Sequence, residues 1–249
     1  MRTRDKYLIL SNEEIAQDVY EMKLKGDTSA IASPGEFVQV TVPGVYLPRP
    51  ISIAYHNSNE LWLVYKIIGE GTKLMSEMKK GEEITLLVGC GNGFDLNVDT
   101  KKPLLIGGGC GTPPMYDLAL KLKEKGIEPT ILIGFRSKED EFYYDKFKDE
   151  FKTYITTEDL SLGDEKLVTD VLKNLTTVDY DYIYSCGPKP MLKAINDIML
   201  TDGEFSLETR MACGIGQCKC CSIETNSGMK TLCHDGPVIK KDEIRWSYE

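Results

Sequence analysis

The sequence predicts a multidomain α+β protein with an antiparallel six-stranded β-barrel, an α/β parallel-sheet domain and a small C-terminal domain rich in cysteine. Short strands separated by turn residues fill roughly the first 98 residues, and strands alternate with helices from Pro103 onward. Five of the chain's eight cysteines then lie between Cys213 and Cys233. A chain of 249 residues is too long for one small core, so we expect domains at 1–98, 99–203 and 204–249.

The barrel is predicted from short strands that are separated by turn-forming residues. Separators such as "KGD", "PG" and "HNSN" interrupt apolar segments at regular spacing, and one helical stretch near 72–79 interrupts the strands. The predicted strands are 7–10, 19–24, 37–42, 51–55, 61–68 and 84–88.

The second domain is predicted from alternating apolar strands and segments with helical spacing, which indicate a parallel sheet covered on both faces. The predicted strands are 104–106, 130–134, 153–155 and 181–185, and the predicted helices are 115–125, 139–151, 167–175 and 191–200. The last segment shows little periodic structure and is too small to be stable without a cross-link or a bound metal centre.

Charge and hydropathy exclude several classes of partner. The net charge of −9 argues against a nucleic acid, because phosphate binding needs a basic surface. The first residues lack the apolar segment of a signal peptide, and no uncharged apolar run reaches the ~18 residues of a membrane span. We therefore expect a cytoplasmic protein without a membrane partner, whose thiols are kept reduced.

Two loops of the second domain have the chemistry of a nucleotide site. The segment "LLIGGGCGTPPM" is a strand, a glycine-rich turn and a helix start, where free amides and the helix dipole suit a pyrophosphate. Thr112 is the expected N-cap, and a plain tight turn is the structural alternative. The loop "YSCGPKPML" also follows a strand, so both loops are expected at one crevice. For Cys186 the alternative is a buried structural thiol. The glycines are Gly107, Gly108, Gly109 and Gly111.

The barrel carries two further phosphate-binding candidates. Arg49 in "LPRPISIAY" precedes a strand and is suited to clamp a phosphate, while the Ser52 hydroxyl is suited to reach a flavin nitrogen. The segment "VYKIIGEGT" ends a strand at Gly69, Gly71 and Thr72 and begins a helix, which is a second phosphate-binding N-terminus. An Arg-Pro pair at a strand edge is more often a solvated turn, so the combination of the two segments carries the prediction.

The cysteine spacing favours an iron–sulfur cluster. Cys213, Cys218, Cys221 and Cys233 follow C-x4-C-x2-C-x11-C, whose first three members match the plant-type 2Fe–2S pattern. Zinc remains the alternative, although zinc sites usually offer two C-x2-C-type pairs and only one is present. A disulfide framework is disfavoured by the reducing compartment. Cys220 is left out, because using it changes both flanking spacings.

Together the motifs "RPIS", "GEGT", "GGGCGTPPM", "CGP" and "RMACGIGQCKCC…LCHDGPV" resemble one family over nearly the whole chain. It is the electron-transfer subunits of the class 1B dihydroorotate dehydrogenases, within the ferredoxin-reductase-like flavoproteins. The resemblance implies three binding sites. The FAD site is formed by Arg49, Pro50, Ile51, Ser52, Val64, Tyr65, Lys66, Gly71 and Thr72. In the NAD site, the pyrophosphate is bound by Gly108, Gly109 and Gly111, and the nicotinamide lies beside Cys186, Gly187 and Pro188. The 2Fe–2S cluster is ligated by Cys213, Cys218, Cys221 and Cys233.

The resemblance also implies a partner. A separate FMN-containing dehydrogenase subunit oxidises dihydroorotate in pyrimidine biosynthesis, two copies of each subunit form a heterotetramer, and electrons reach NAD+ through the cluster and FAD. The alternative is a paralogous NAD(P)H diaphorase subunit that serves a ferredoxin, hydrogenase or sulfite reductase. A zinc-stapled regulatory module is the non-enzymatic alternative. We expect NAD rather than NADP, although Arg136 and Lys138 follow the second sheet strand, where a 2′-phosphate would lie.

Three positions depart from the family pattern, and Ile51, which is usual in this family, departs only from the wider superfamily. Ile51 stands where the wider superfamily often has an aromatic residue, and Cys110 stands where the phosphate loop is usually aliphatic. Cys220 replaces a small or apolar residue, and His234 replaces a commoner lysine. None of these departures removes a predicted ligand.

Overall fold

The N-terminal part of the chain is the predicted closed barrel. A computed structural model describes residues 2–175 and 179–246. The barrel order is β1-β2-β5-β4-β3-β6, with every neighbouring pair antiparallel. Its strands and helix are β1 Thr3–Ala16, β2 Val19–Lys25, β3 Phe37–Thr41, β4 Arg49–His56, β5 Glu60–Lys66, α1 Glu70–Glu77 and β6 Glu83–Cys90.

Side-chain alternation gives each barrel strand one face toward the barrel core. On β3, Val38 and Val40 are buried inside the barrel, whereas Phe37 packs into a different core that includes Cys221 and Cys233. Because successive residues of a strand point to opposite faces, Gln39 shares the outward face of Phe37. The outer face of β3 therefore packs on the cysteine-rich segment.

The second part is a six-stranded sheet of order β14-β11-β10-β7-β8-β9, parallel except for β14. The predicted α/β parallel-sheet domain is confirmed. Its elements are β7 Pro103–Gly108, α2 Thr112–Glu124, β8 Thr130–Phe135, α3 Tyr144–Lys148, β9 Lys152–Thr157, α4 Val168–Lys173, β10 Tyr182–Cys186, α5 Lys189–Ile198, β11 Gly203–Ser206 and, from the C-terminal segment, β14 Val238–Lys240.

The C-terminal segment holds more structure than its sequence pattern indicates. It forms a hairpin of β12, Ser222–Thr225, and β13, Gly228–Thr231, followed by the short α6, Leu232–Asp235. Strand β14 then pairs with β11, so this segment also completes the sheet. Domain limits at 98 and 203 stay predictions, and the outer limits, residues 1 and 249, lie outside the described residues.

The helix predicted over 139–151 is wrong in length. The α-helix here covers only Tyr144–Lys148, after a single 3₁₀ turn at Lys138–Asp140. Tyr143 has a φ of 75°, a left-handed conformation that an α-helix cannot include. This conformation places the Tyr143 side chain in the core between the two large domains.

Polar contacts join the barrel to the sheet domain and hold the crevice between them. Glu21 of β2 accepts hydrogen bonds from Tyr143 and, at 2.6 Å, from Lys146 Nζ. On the other side of the junction, His56 Nδ1 lies 2.8 Å from the fully buried Asp117 carboxylate of α2.

Among the described residues, no helix is both long and apolar enough to cross a bilayer.

Candidate functional site

The two phosphate-binding candidates of the barrel lie against each other. The Arg49 guanidinium covers Gly71 in the first turn of α1, and a methyl group at Gly71 would overlap Arg49 Nε. Thr72 Oγ1 donates to the Gly69 carbonyl and accepts from the Ile68 amide at 3.0 Å, which fixes the turn. A fixed cation beside a helix N-terminus is a site that suits a phosphate.

The other residues assigned to the flavin divide between surface and core. Pro50, Ile51 and Ser52 are half-buried on β4, beside fully buried Ile53. On β5, Lys66 reaches the sheet domain, where its Nζ lies 3.1 Å from Asp140 Oδ1. Val64 faces the same junction, within the core that the two domains share.

Tyr65 points the other way. Its ring is buried in the barrel and stacks on Tyr20, and its hydroxyl donates to Asn12 Oδ1 at 2.8 Å. Only the main chain of Tyr65 faces the junction, because side chains alternate along a strand. A flavin contact at this position is therefore a backbone contact.

The predicted N-cap of the nucleotide-site helix is wrong by one residue. Gly111 is the N-cap of α2, and Thr112 is its first helical residue, with no side-chain capping bond. The glycine turn tightens into a 3₁₀ turn at Gly109–Gly111 before α2 begins, and this turn moves the helix boundary. The Thr112 hydroxyl is left buried, with no hydrogen-bond partner among the described residues. Pro113 lies in the first turn of α2, where no backbone amide hydrogen is needed.

The two loops of the sheet domain meet backbone to backbone. A methyl group on Gly111 would overlap the Cys186 carbonyl, so only glycine permits this approach. A methyl group on Gly187 would lie 3.2 Å from the Gly108 backbone, and Pro188 packs on Gly108 as well. Both loops lie at the carboxyl ends of the neighbouring strands β7 and β10. This edge is where open α/β sheets bind ligands.

A cavity of about 640 Å³ opens beside these loops. Arg136, one of the candidates for a 2′-phosphate, lies at its wall and pairs with Asp140 at 2.8 Å. Burial acts to raise the pKa of Asp140, but hydrogen bonds from Arg136 and Lys66 outweigh it and lower the pKa. The Thr156 hydroxyl also faces the cavity, buried and without a partner in the described residues. The volume and the largely apolar walls, with a few polar groups among them, fit a nucleotide.

Glu208 is a site residue that the sequence analysis missed. Its negative charge raises the pKa of both Cys110 and Cys186, so the carboxylate lies near the two thiols at the crevice. For the buried Cys186 the largest cause is burial, which raises its pKa to about 12. The available signal was its place just after β11, at the carboxyl edge of the sheet.

The four predicted ligand cysteines surround one loop in two neighbouring pairs. The Cys218 amide donates to Cys213 Sγ at 3.4 Å, and the Cys233 amide donates to Cys221 Sγ at 3.5 Å. Cys221 and Cys233 are buried, whereas Cys218 is exposed. Cys220 is exposed too, with its sulfur 3.3 Å from that of Cys218.

The loop presents donors to these sulfurs, as a cluster site requires. Gly216 donates its amide to Cys233 Sγ at 3.0 Å, and Ile215 donates to Cys213 Sγ at 3.5 Å. Hydrogen bonds from the backbone of Cys213 and Cys220 lower the pKa of Cys218 to about 6, which favours the thiolate that a metal ligand must be.

The arrangement in pairs fits two irons. Within residues 2–175 and 179–246, no three His, Cys, Asp or Glu side chains converge in a way that would hold a single ion. A tetrahedral zinc needs four ligands around one point, whereas the four cysteines of a 2Fe–2S cluster are divided between two irons. The C-x4-C-x2-C spacing, together with this pairing of the cysteines, favours the cluster.

Comparison with known proteins places the chain in one family. Residues 208–245, which contain all four cysteines, match the model of the iron–sulfur cluster binding domain of dihydroorotate dehydrogenase B. A Fusobacterium nucleatum protein named dihydroorotate dehydrogenase B (NAD(+)), electron transfer subunit, is 42% identical over 246 residues, or 94% of this chain and 95% of the relative. The Bacillus pumilus protein of that name is 40% identical, over 96% and 97%.

Solved structures agree with the fold. The structure of an NADH-dependent reduced ferredoxin-NADP oxidoreductase matches with a TM-score of 0.87 at 27% identity, covering 96% of this chain and 90% of the other. Phthalate dioxygenase reductase shares the fold at 21% identity, with a TM-score of 0.64 over 78% of this chain and 64% of the other. On the near full-length identity to its relatives, the chain belongs to the family of dihydroorotate dehydrogenase B electron transfer subunits.

Proposed function

We propose that this chain carries electrons from a partner dehydrogenase subunit, which oxidises dihydroorotate, by way of a 2Fe–2S cluster and FAD to NAD+. The observation that carries the proposal is the identity of 42% over 94% of the chain to a subunit named for this activity, together with the cluster segment at 208–245. When bound, FAD exchanges a two-electron hydride for single electrons and the cluster carries single electrons.

The chain's own residues have separate tasks in this proposal. Arg49 and the first amides of α1 bind the FAD phosphates, supported by their contact at Gly71. Strands β4 and β5 position the flavin through Pro50, Ile51, Ser52, Val64, Tyr65 and Lys66, and Thr72 of α1 fixes the turn beside the phosphates.

NAD is proposed to bind at the same crevice, which the close approach of the two nucleotide loops supports. The amides at Gly108, Gly109 and Gly111 bind the pyrophosphate, since they lie at the N-terminus of α2. Cys186, Gly187 and Pro188 lie at the end of β10 and hold the nicotinamide near the flavin. NAD is proposed over NADP because the cation best placed for a 2′-phosphate, Arg136, is paired with Asp140.

The partner is proposed to be an FMN-containing subunit, with two copies of each chain in the assembly. The names of the relatives support a catalytic partner, because they describe an electron transfer subunit. The exposed position of Cys218 supports docking at the cluster, since electrons must enter where the cluster approaches the surface.

A second candidate is a diaphorase that exchanges electrons with a ferredoxin. The structure with a TM-score of 0.87 belongs to a ferredoxin-NADP oxidoreductase, which favours this candidate at 27% identity. The identity of 40–42% to dihydroorotate dehydrogenase subunits favours the first.

The absorption spectrum of the purified chain tests for the cofactors. The function is tested by comparing which electron donor reduces the chain, a ferredoxin or the FMN subunit with dihydroorotate. We expect flavin and iron–sulfur absorption, with NADH bleaching the flavin faster than NADPH does. A colourless chain with bound zinc would contradict electron transfer. Reduction by a ferredoxin, with none by the FMN subunit and dihydroorotate, would support the second candidate instead.

A further inference from the structure

Gln39 is a buried side chain with an unused hydrogen-bonding capacity. It lies on β3 with 2% of its surface exposed. Neither Oε1 nor Nε2 has a hydrogen-bond partner among the described residues. Buried amides are almost always paired, so a side chain with both polar atoms free indicates a partner that is not part of the polypeptide.

The side-chain amide of Gln39 contacts the loop that carries the cysteines. Gly214, the residue after Cys213, packs directly on Gln39, and a methyl group there would overlap Nε2. Gly214 has a φ of +69°, so the loop needs glycine both for its backbone conformation and for this close approach. Phe37, on the same face of β3, shares a core with Cys221 and Cys233. The outer face of β3 is therefore the floor of the loop that holds the four cysteines.

Gln39 also lies beside the strand assigned to the flavin. Its Cα is opposite Pro50 of β4 on one side and Leu87 of β6 on the other. The loop is tied to the barrel at a second point, where Arg2 Nη2 donates to the Cys233 carbonyl at 3.3 Å. Strand β3 thus contacts the cysteine loop with its outer face and pairs along its edge with the proposed flavin strand β4.

We propose that Gln39 Nε2 donates a hydrogen bond to a sulfur of the bound cluster and thereby raises the cluster's reduction potential. This inference rests on the proposed function, since it needs the 2Fe–2S cluster. Sulfur accepts and the amide nitrogen donates, so the atom nearest Gly214 has the required chemistry. Reduction adds negative charge to the cluster, and a hydrogen-bond donor stabilises that charge.

A redox titration of the intact, cofactor-loaded chain tests the proposal. Gln39→Leu keeps the volume but removes the donor, and EPR follows the cluster during the titration. We expect the midpoint potential to fall by about 59 mV, a tenfold change for a one-electron couple. Thr41→Val is the matched control on the same face, because its hydroxyl accepts from Arg4 Nη2 at 3.3 Å instead. Equal potentials in the wild type and Gln39→Leu would overturn the proposal.

A second measurement does not depend on the folding of the leucine variant. The chain has glutamines at 17, 39 and 217, and only the last lies in the cysteine loop. In a Gln217→Glu chain labelled with nitrogen-15 at glutamine Nε2, pulsed EPR should detect coupling between the reduced cluster and the label. A cluster signal without this coupling overturns the Gln39 proposal alone. A chain with no cluster signal contradicts the proposed function itself, and this inference with it.

Discussion

Cys218 and Cys220 are chemically alike and close in space, but only Cys218 has the spacing of a ligand. Their sulfurs lie 3.3 Å apart, and both side chains are exposed. The two residues are therefore a matched pair for testing which thiols hold the cluster. The Cys218 amide bonds to Cys213 Sγ, which couples this residue to the first predicted ligand.

We predict that Cys218→Ser loses the 2Fe–2S absorption and the transfer of electrons from the partner, while NADH still reduces FAD. Cys220→Ser should retain both the absorption and the transfer. The visible spectrum and EPR of the two purified variants check the prediction. Normal coupled turnover in Cys218→Ser would refute the ligand assignment.

At the scale of elements, the turn before α1 offers two glycines with different surroundings. An alanine side chain at Gly71 displaces the Arg49 guanidinium, whereas a methyl group at Gly69 meets nothing within 4 Å. Gly69 has extended backbone that any residue adopts. Gly71 lies inside α1, where alanine is favoured over glycine by about 1 kcal/mol.

We predict that Gly71→Ala weakens FAD binding about tenfold, or about 1.4 kcal/mol, without lowering stability. Gly69→Ala should bind FAD as the wild type does. Titration of FAD into each flavin-free variant, with a thermal melt as the stability control, measures both effects. Equal FAD affinity in the two variants would show that Arg49 does not hold a phosphate.

The contact between β2 and α3 predicts a pH-dependent stability. Lys146 Nζ lies 2.6 Å from the buried Glu21 carboxylate, whereas Lys148 pairs with the exposed Asp145. Burial acts to raise the pKa of Glu21, but the bonds from Lys146 and Tyr143 outweigh it and lower the pKa. A lowered folded-state pKa stabilises the fold above the ordinary glutamate pKa, and this contribution is lost as the pH falls through the folded-state value.

We expect Lys146→Met to lose about 3 kcal/mol at pH 7, since it leaves a buried carboxylate without its main partner. Lys148→Met should change stability by at most ~0.5 kcal/mol. The deficit of Lys146→Met should shrink toward acidic pH and vanish once the pH falls through the lowered folded-state pKa of Glu21, where the carboxyl becomes protonated. Urea unfolding midpoints of both variants at neutral and acidic pH provide the check, and a deficit independent of pH would contradict the assignment.

At the scale of the whole molecule, the barrel and the sheet were predictable because period-2 strands and strand–helix alternation are local patterns. The cysteine spacing was predictable for the same reason, as the ligands lie within one segment. The short α3 was not, since the left-handed Tyr143 is stabilised by Glu21, a residue 122 positions away. Likewise, nothing near Gln39 in the sequence indicates its contact with Gly214.

The pairing of β11 with β14 has a consequence for the assembly. Since β14 follows the four cysteines, the cysteine segment is held between two strands of the nucleotide-binding sheet. The cysteine segment also packs on barrel strand β3, so the barrel, the sheet and the cysteine segment meet around one junction. This arrangement brings the segments of the proposed cluster, FAD and NAD sites together around that junction.

The most direct test of the account is anaerobic reduction of NAD+ by dihydroorotate in a complex of this chain with the proposed FMN-containing partner subunit. We predict that the complex forms NADH, that the partner subunit alone does not, and that a complex with the Cys218→Ser chain does not either. A complex loaded with FAD, FMN and the 2Fe–2S cluster that forms no NADH from dihydroorotate would contradict the central claim.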